Sequence, residues 1–123
     1  MSEADTRRAA EIYRQEHETW NVERLMGIFA DDAQWTPAGR QTMVGRDAVR
    51  TNIERMAASP GRRRMIHLLE IIEGENAAVE WEVHHLGDDG NWHPYRFGVN
   101  LYHVVDGKIK SLRGYGFNVQ QAH

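Results

Sequence analysis

The chain has 123 residues, 41% hydrophobic and 27% charged, with a net charge of −3 and no cysteine. A chain of this length buries roughly two-thirds of the surface its unfolded form exposes, which is enough for one self-sufficient core. The composition excludes disulfides, thiolate nucleophiles and cysteine-ligated metals, and the charge has the wrong sign for tracking nucleic-acid phosphates.

The polar start "MSEADTRRAAE" lacks a signal-peptide pattern, and no apolar run approaches the length that spans a bilayer. The expectation is a cytoplasmic protein with neither nucleic acid nor membrane as partner. There is no internal repeat, linker or low-complexity segment, so residues 1–123 read as a single domain.

Ser2 with Asp5 three residues on resembles a capping box, and the first helix is expected to run to about Trp20 with Ala9, Tyr13, His17 and Trp20 on one stripe. Asn21 can cap a second helix, in which Val22, Leu25, Met26 and Phe29 follow the i, i+3, i+4, i+7 spacing of a buried face. A short strand, "QWTP", comes next. Gly45 to about Ala58 reads as a third helix with Val49, Ile53 and Met56 inward, stopped by "SPG". The basic run Arg62 to Arg64 that follows reads as a solvated loop end. From there the period changes to two. Residues 65–73, 76–86, 92–105 and 108–118 are four strands separated by "GEN", "GDDGN" and a hairpin "DG". Helices followed by adjacent antiparallel strands define an α+β fold with helices on one face of a curved sheet.

Strand geometry divides the stretch "EWEVHH". Val79, Trp81, Val83 and His85 share one face, and Glu80, Glu82 and His84 share the other. Burying two unpaired glutamates costs several kcal/mol, so the tryptophan face is the inner one. By the same alternation His67 lies inward with Leu69 and Ile71, opposite Glu70. With His17 and Tyr13 one helical turn apart, three histidines and a tyrosine converge on one interior, with no carboxylate on those faces. Several such groups together point to a polar-lined pocket.

Helix-helix-strand-helix-four strands, with "IFADDAQWTP" closing the second helix and "VVDGKIKSLRGYGFN" forming the last hairpin, resembles the nuclear-transport-factor-2-like superfamily. Ketosteroid isomerases, SnoaL-like polyketide cyclases, scytalone dehydratases and limonene epoxide hydrolases belong to it. The resemblance implies a cone-shaped α+β fold with three N-terminal helices on a curved, mainly antiparallel sheet, and a homodimer formed through the outer sheet face. Tyr13 stands relative to "FADDA" as the tyrosine that donates to the enolate oxygen in ketosteroid isomerases, and Asn100 aligns with the second donor. Where that family carries its general base, this chain has Thr36 and Pro37. His67 in "MIHLL", His85 in "VHH" and Asn100 in "VNLY" look similar to the site of scytalone dehydratases, whereas His17 and Thr36 or Pro37 stand near the positions of that family's water-positioning tyrosines. Arg96 lacks the aspartate partners of epoxide hydrolases. Alternation alone puts Asn100 outside, opposite Phe97, Val99 and Leu101, whereas the resemblance puts it inside.

These residues suit elimination of water beside a carbonyl, or the shift of a double bond. His67 and His85 can serve as base and acid, in either order, with Tyr13 and Asn100 as oxyanion donors and His17 nearby. Such chemistry needs no cofactor. Trp35, Val79, Trp81, Val83, Tyr102 and Leu112 form the substrate wall, and Gly114 and Gly116 either open space beside it or curve the sheet. The expected function is a dehydratase, isomerase or cyclase acting on a small, largely apolar carbonyl compound. One rival is a metal centre on His17, His67 and His85, which no inward carboxylate or tight spacing supports. The other is a non-catalytic small-molecule-binding or dimerisation protein.

Overall fold

The computed structural model describes residues 2–119. Three helices, α1 (Ser2–Thr19), α2 (Val22–Met26) and α3 (Arg46–Ala57), pack on a six-stranded sheet. Its strands are β1 (Phe29–Thr36), β2 (Met43–Val44), β3 (Arg63–Glu73), β4 (Asn76–Leu86), β5 (Trp92–Val105) and β6 (Lys108–Asn118), in the order β2-β1-β6-β5-β4-β3. All neighbours are antiparallel except β1 and β6, which run parallel. The sheet is curved and does not close, and the helices cover its concave side.

α1 lies along β3. Arg7 pairs with Glu70, the Thr6 hydroxyl donates to the Gly74 carbonyl, and Arg62 pairs with Glu18 at the other end. Ser2 is already helical and so does not cap. The helix stops at Trp20, whose φ of 50° breaks the repeat, and the Trp20 ring folds back to 4.6 Å from the His17 ring. Buried Glu16 fastens the next turn through Thr19, the Asn21 backbone N–H and Arg24. Asn21 caps α2 as its sequence suggests, accepting from the Arg24 N–H at 3.0 Å.

α2 ends at Met26, and Phe29 opens a strand instead of closing the helix. Phe29 and Ala33 are spaced four apart, which fits a helical face. Phe29, Ala33 and Trp35, separated by even numbers of residues, all point inward from β1, and the register with β6 shifts between Phe29 and Gln34. Arg46 holds this corner by donating to the carbonyls of Met26 and Phe29. The two-residue β2 has no counterpart in the sequence reading. The Asp106-Gly107 turn takes positive φ at both residues, 52° and 76°, as the tight hairpin between β5 and β6 requires.

A second irregularity reorders β3. His67 pairs with Trp81, but Leu69 pairs with Glu80 and Glu70 with Val79. One residue is inserted at Leu68, so the face reverses beyond it. Met65 and His67 point inward as expected. Past the bulge, Glu70 and Ile72 point inward while Leu69 and Ile71 are exposed, the reverse of strict alternation. The outward set therefore includes Leu68, Leu69, Ile71, Phe97, Val99, Tyr115 and Phe117, all exposed.

Candidate functional site

The concave face gathers the polar groups that the helices cover. From α1, Tyr13 and His17 are buried with their rings 4.8 Å apart, and Tyr13 stands edge-on to Trp35 at 6.0 Å and to Tyr102 at 6.1 Å. From β5, Asn100 is only 4% exposed, and its side-chain amide donates to the Tyr102 hydroxyl at 3.3 Å. Alternation by hydrophobicity therefore fails on this strand: Phe97 and Val99 are outside and Asn100 is inside. Val79, Trp81 and Val83 of β4 and Leu112 of β6 are buried as the sequence suggests, and Glu80 and His84 lie on the other face.

The glycines of β5 and β6 are occupied space. A Cβ on Gly116 would stand 3.1 Å from the Trp81 ring, and one on Gly98 would meet that ring at 2.8 Å and the Tyr115 carbonyl at 2.1 Å. Trp81 thus lies against backbone that only glycine leaves bare. A Cβ on Gly114 would stand 3.1 Å from both Asn100 Oδ1 and the Ala38 nitrogen, so this glycine lets Asn100 turn inward.

The histidines divide. His17 Nδ1 lies 3.0 Å from the Tyr13 carbonyl, an acceptor, so Nδ1 carries the proton and Nε2 keeps its lone pair. Burial pushes its pKa down to about 4. The positive charges of His67, Arg63 and Arg96 push the same way, and the bond to Tyr13 only partly opposes them. His17 is therefore neutral near pH 7. Burial also raises the Tyr13 phenol above its usual range, against the pull of Arg96. Tyr102 is raised likewise by burial and by Tyr13, so both phenols stay protonated and remain donors.

His67 has a partner that the sequence did not reveal. The bulge at Leu68 brings Glu70 onto the same face, and His67 Nδ1 lies 2.8 Å from Glu70 Oε1. An ionised carboxylate only accepts, so Nδ1 is the protonated nitrogen. The side chain is 7% exposed, and Nε2 is buried without a hydrogen-bond partner. Ligand atoms of Glu11, His67 and Glu70 lie within 4.8 Å of one another, but Arg14 engages Glu11 and Arg7 engages Glu70. That group is a charge-balanced network between α1 and β3, and the expectation of no inward carboxylate is corrected by it.

His85 lies on the inner side but away from His67. Opposite Arg63 and four residues along β4 from the partner of His67, it is displaced from His67 by about 13 Å at the usual rise of a strand. Its ring is 5.8 Å from both His93 and Tyr95, at the mouth of the cone, beside a cavity of about 280 Å³ lined by Pro60, Gly61, Arg62, Arg63, Leu86 and Tyr95. The two histidines cannot act together on one bond. Arg63 and Arg64, read as a loop end, instead begin β3, with their guanidinium groups over the rings of Tyr95 and Trp92. Arg96 shares the phase of Asn100 and pairs with Val83, a signal the sequence did carry.

A curved open sheet with a helix-covered polar interior defines a cone-shaped α+β class, and comparison with known proteins gives it a family. The SnoaL-like domain model matches residues 9–112, so the chain belongs to the SnoaL-like domain family. Its solved structural neighbours are nuclear-transport-factor-2-like. An LEH-like epoxide hydrolase from M. tuberculosis superposes with a TM-score of 0.78 at 15% identity, over 95% of this chain and 86% of that one. A protein of unknown function from Mesorhizobium loti gives 0.75 at 21%, over 95% and 94%. A protein provisionally named a ketosteroid isomerase, from Kribbella flavida, gives 0.72 at 17%, over 99% and 84%. At these identities the likeness is one of fold. No curated protein matches the chain in sequence. No helix of the described residues is long and apolar enough to cross a membrane.

Proposed function

We propose that the chain is a cofactor-independent acid/base enzyme that takes a proton from carbon beside a carbonyl, in a dehydration, isomerisation or cyclisation of a small, largely apolar compound. The observation that carries this reading is the Glu70–His67 pair. It fixes the proton on Nδ1 and leaves a buried, unpartnered Nε2 as a base, in the same interior as two phenols held protonated. His67 Nε2 removes the carbon-bound proton, and the electron pair moves onto the carbonyl oxygen as an enolate. Tyr13, with Tyr102 and Asn100 behind it, supplies donors to that oxygen. In a dehydration the same imidazolium returns its proton to the departing hydroxyl, so enone and water leave and His67 is restored. One histidine then serves as both base and acid, and His85 is left at the entrance.

The test follows the absorbance of conjugated enone formed from 3-hydroxycyclohexanone and from cyclohex-3-enone, with the full chain and with His67→Gln. Turnover that the substitution removes supports the reading. Turnover that survives it removes His67 from the chemistry, and none above buffer with either ketone favours a non-catalytic binding protein of the same fold.

We propose further that two copies pair through the outer sheet face. Phe97, Val99, Tyr115 and Phe117 form an apolar patch on β5 and β6, with Phe117 69% exposed and its ring 5.8 Å from that of Phe97, and Leu69 and Ile71 form a second patch on β3. Glu80 on β4, between the two patches, and Arg113 on β6 stand on opposite sides of β5, so the face can complement itself under a two-fold axis. Light scattering is expected to give twice the chain mass, falling to one chain mass in Phe117→Glu. A wild-type monomer at micromolar concentration would count against the pairing.

A further inference from the structure

The mouth of the cone carries positive charge that no acid in its surroundings answers. The acids of the neighbouring elements are already engaged: Glu70 and Glu11 by Arg7 and Arg14, Glu16 by Arg24, Glu18 by Arg62, and Asp89 of the β4–β5 loop by His93. Among the described residues Arg63 and Arg96 form no ion pair, although both sit at inward positions of the sheet, opposite His85 and Val83. Arg96 is partly buried and its Nε–H is sealed without an acceptor; its charge is felt by Tyr13 and His17. One inward step from it, across Gly98, Trp81 is 4% exposed and its indole N–H also lacks an acceptor. The cavity of about 280 Å³ at this end is lined by Arg62, Arg63, His85, Tyr95 and apolar atoms, with no carboxylate among its walls; Arg96 and Trp81 lie inward of that lining, at the next inward positions of the sheet.

A guanidinium drawn from water without a counter-charge is unfavourable, and a bound anion reverses the sign of that contribution. Guanidinium forks match the two oxygens of a carboxylate, and the flat, apolar neighbours Tyr95 and Trp81 suit a ring attached to one. We infer that the ligand of this interior is a cyclic or aromatic carboxylic acid, with its carboxylate held at the mouth by Arg63 and Arg96 and its remaining carbonyl part directed towards Tyr13. The inference rests on the reading of the interior as a small-molecule site and adds the charged group to that substrate.

Calorimetric titration of the full chain with naphthalene-2-carboxylate, naphthalene-2-carboxamide and inorganic phosphate tests it. The carboxylate is expected to bind at least tenfold more tightly than the amide and than phosphate. Arg96→Gln should erase the preference, weakening the carboxylate at least tenfold and the amide by less, and Arg63→Gln, at a position nearer the solvent, should reduce it without disturbing the fold. Equal binding of acid and amide, a preference that survives both substitutions, phosphate binding as tight as the carboxylate, or no binding by any probe overturns the inference. Turnover of the neutral ketones is measured separately. If it is present without a carboxylate preference, only this inference fails. If the preference is present without turnover, only the catalytic reading fails.

Discussion

Replacing His67 with glutamine should lower turnover by about a hundredfold to ten-thousandfold, the range that one general base contributes. The loss should fall on kcat with KM nearly unchanged, because Nε2 makes no hydrogen bond in the resting protein and meets the substrate only at the proton being moved. Glutamine keeps an N–H for Glu70 and much of the ring's volume, so circular dichroism and the thermal midpoint should stay close to wild type. Glu70→Gln separates positioning from packing. The amide can donate to Nδ1, which forces the proton onto Nε2 and silences the base, while Arg7 loses its ion pair. Glu70→Asp should recover part of the rate and Glu70→Gln none, a pattern that a purely structural role would not produce. His67→Gln within threefold of wild type would remove His67 from the chemistry.

Stability should fall by about 3 kcal/mol between pH 6.5 and pH 4 on account of His17 alone. The sign follows from the shift. The folded value, about 4, lies below the ordinary 6.5, so in this window the unfolded chain takes up a proton that the folded chain refuses. The contribution is complete above pH 6.5 and is lost as the pH falls towards 4. No acid on the surrounding elements compensates: the groups that face His17 with charge are His67, Arg63 and Arg96, all cationic when charged. His17→Phe preserves the aromatic contacts with Tyr13 and Trp20 and cannot titrate. Urea unfolding at pH 7.5 and 4.5 should show a drop in the wild type that is smaller by about 3 kcal/mol in the variant. Equal drops would mean that His17 is hydrated or paired in solution.

The order of elements was legible because each carried its own period. Val49 and Ile53 of α3, and Val79, Trp81 and Val83 of β4, lie where their spacing put them. The reading failed where two patterns gave the same letters. Phe29 continues the helical spacing of Val22, Leu25 and Met26 and equally starts a strand with Ala33 and Trp35 on its face. "HLLEII" alternates in neither phase, and nothing in its composition marks Leu68 as the inserted residue, so Glu70 could not be assigned to the face of His67. Asn100 was misplaced for another reason. An apolar outer face reverses the rule that the greasier side is the inner one, and on β5 the structural resemblance was a better guide than hydrophobicity. His85 was given the correct face but the wrong neighbour, because alternation fixes a direction and says nothing about distance along the strand.

The parallel pairing of β1 with β6 has a consequence for how the chain reaches this state. Phe29 meets Ile109, and Trp35 meets Leu112, so the strand that carries part of the interior is joined to the sheet by nearly the last segment of the fold to be synthesised. Helices α1 to α3 and β1 leave the ribosome with their apolar sides uncovered and wait for a sheet made later. Closing such distant pairs makes folding slow relative to a helical bundle of the same size, and exposes those sides to wrong partners in the meantime. Tyr13, Trp35 and Tyr102 come from the first helix, the first strand and the next-to-last strand, so this interior is assembled only once β5 and β6 have joined the sheet. A partly folded intermediate would have the helices and the β3–β5 meander without a closed interior.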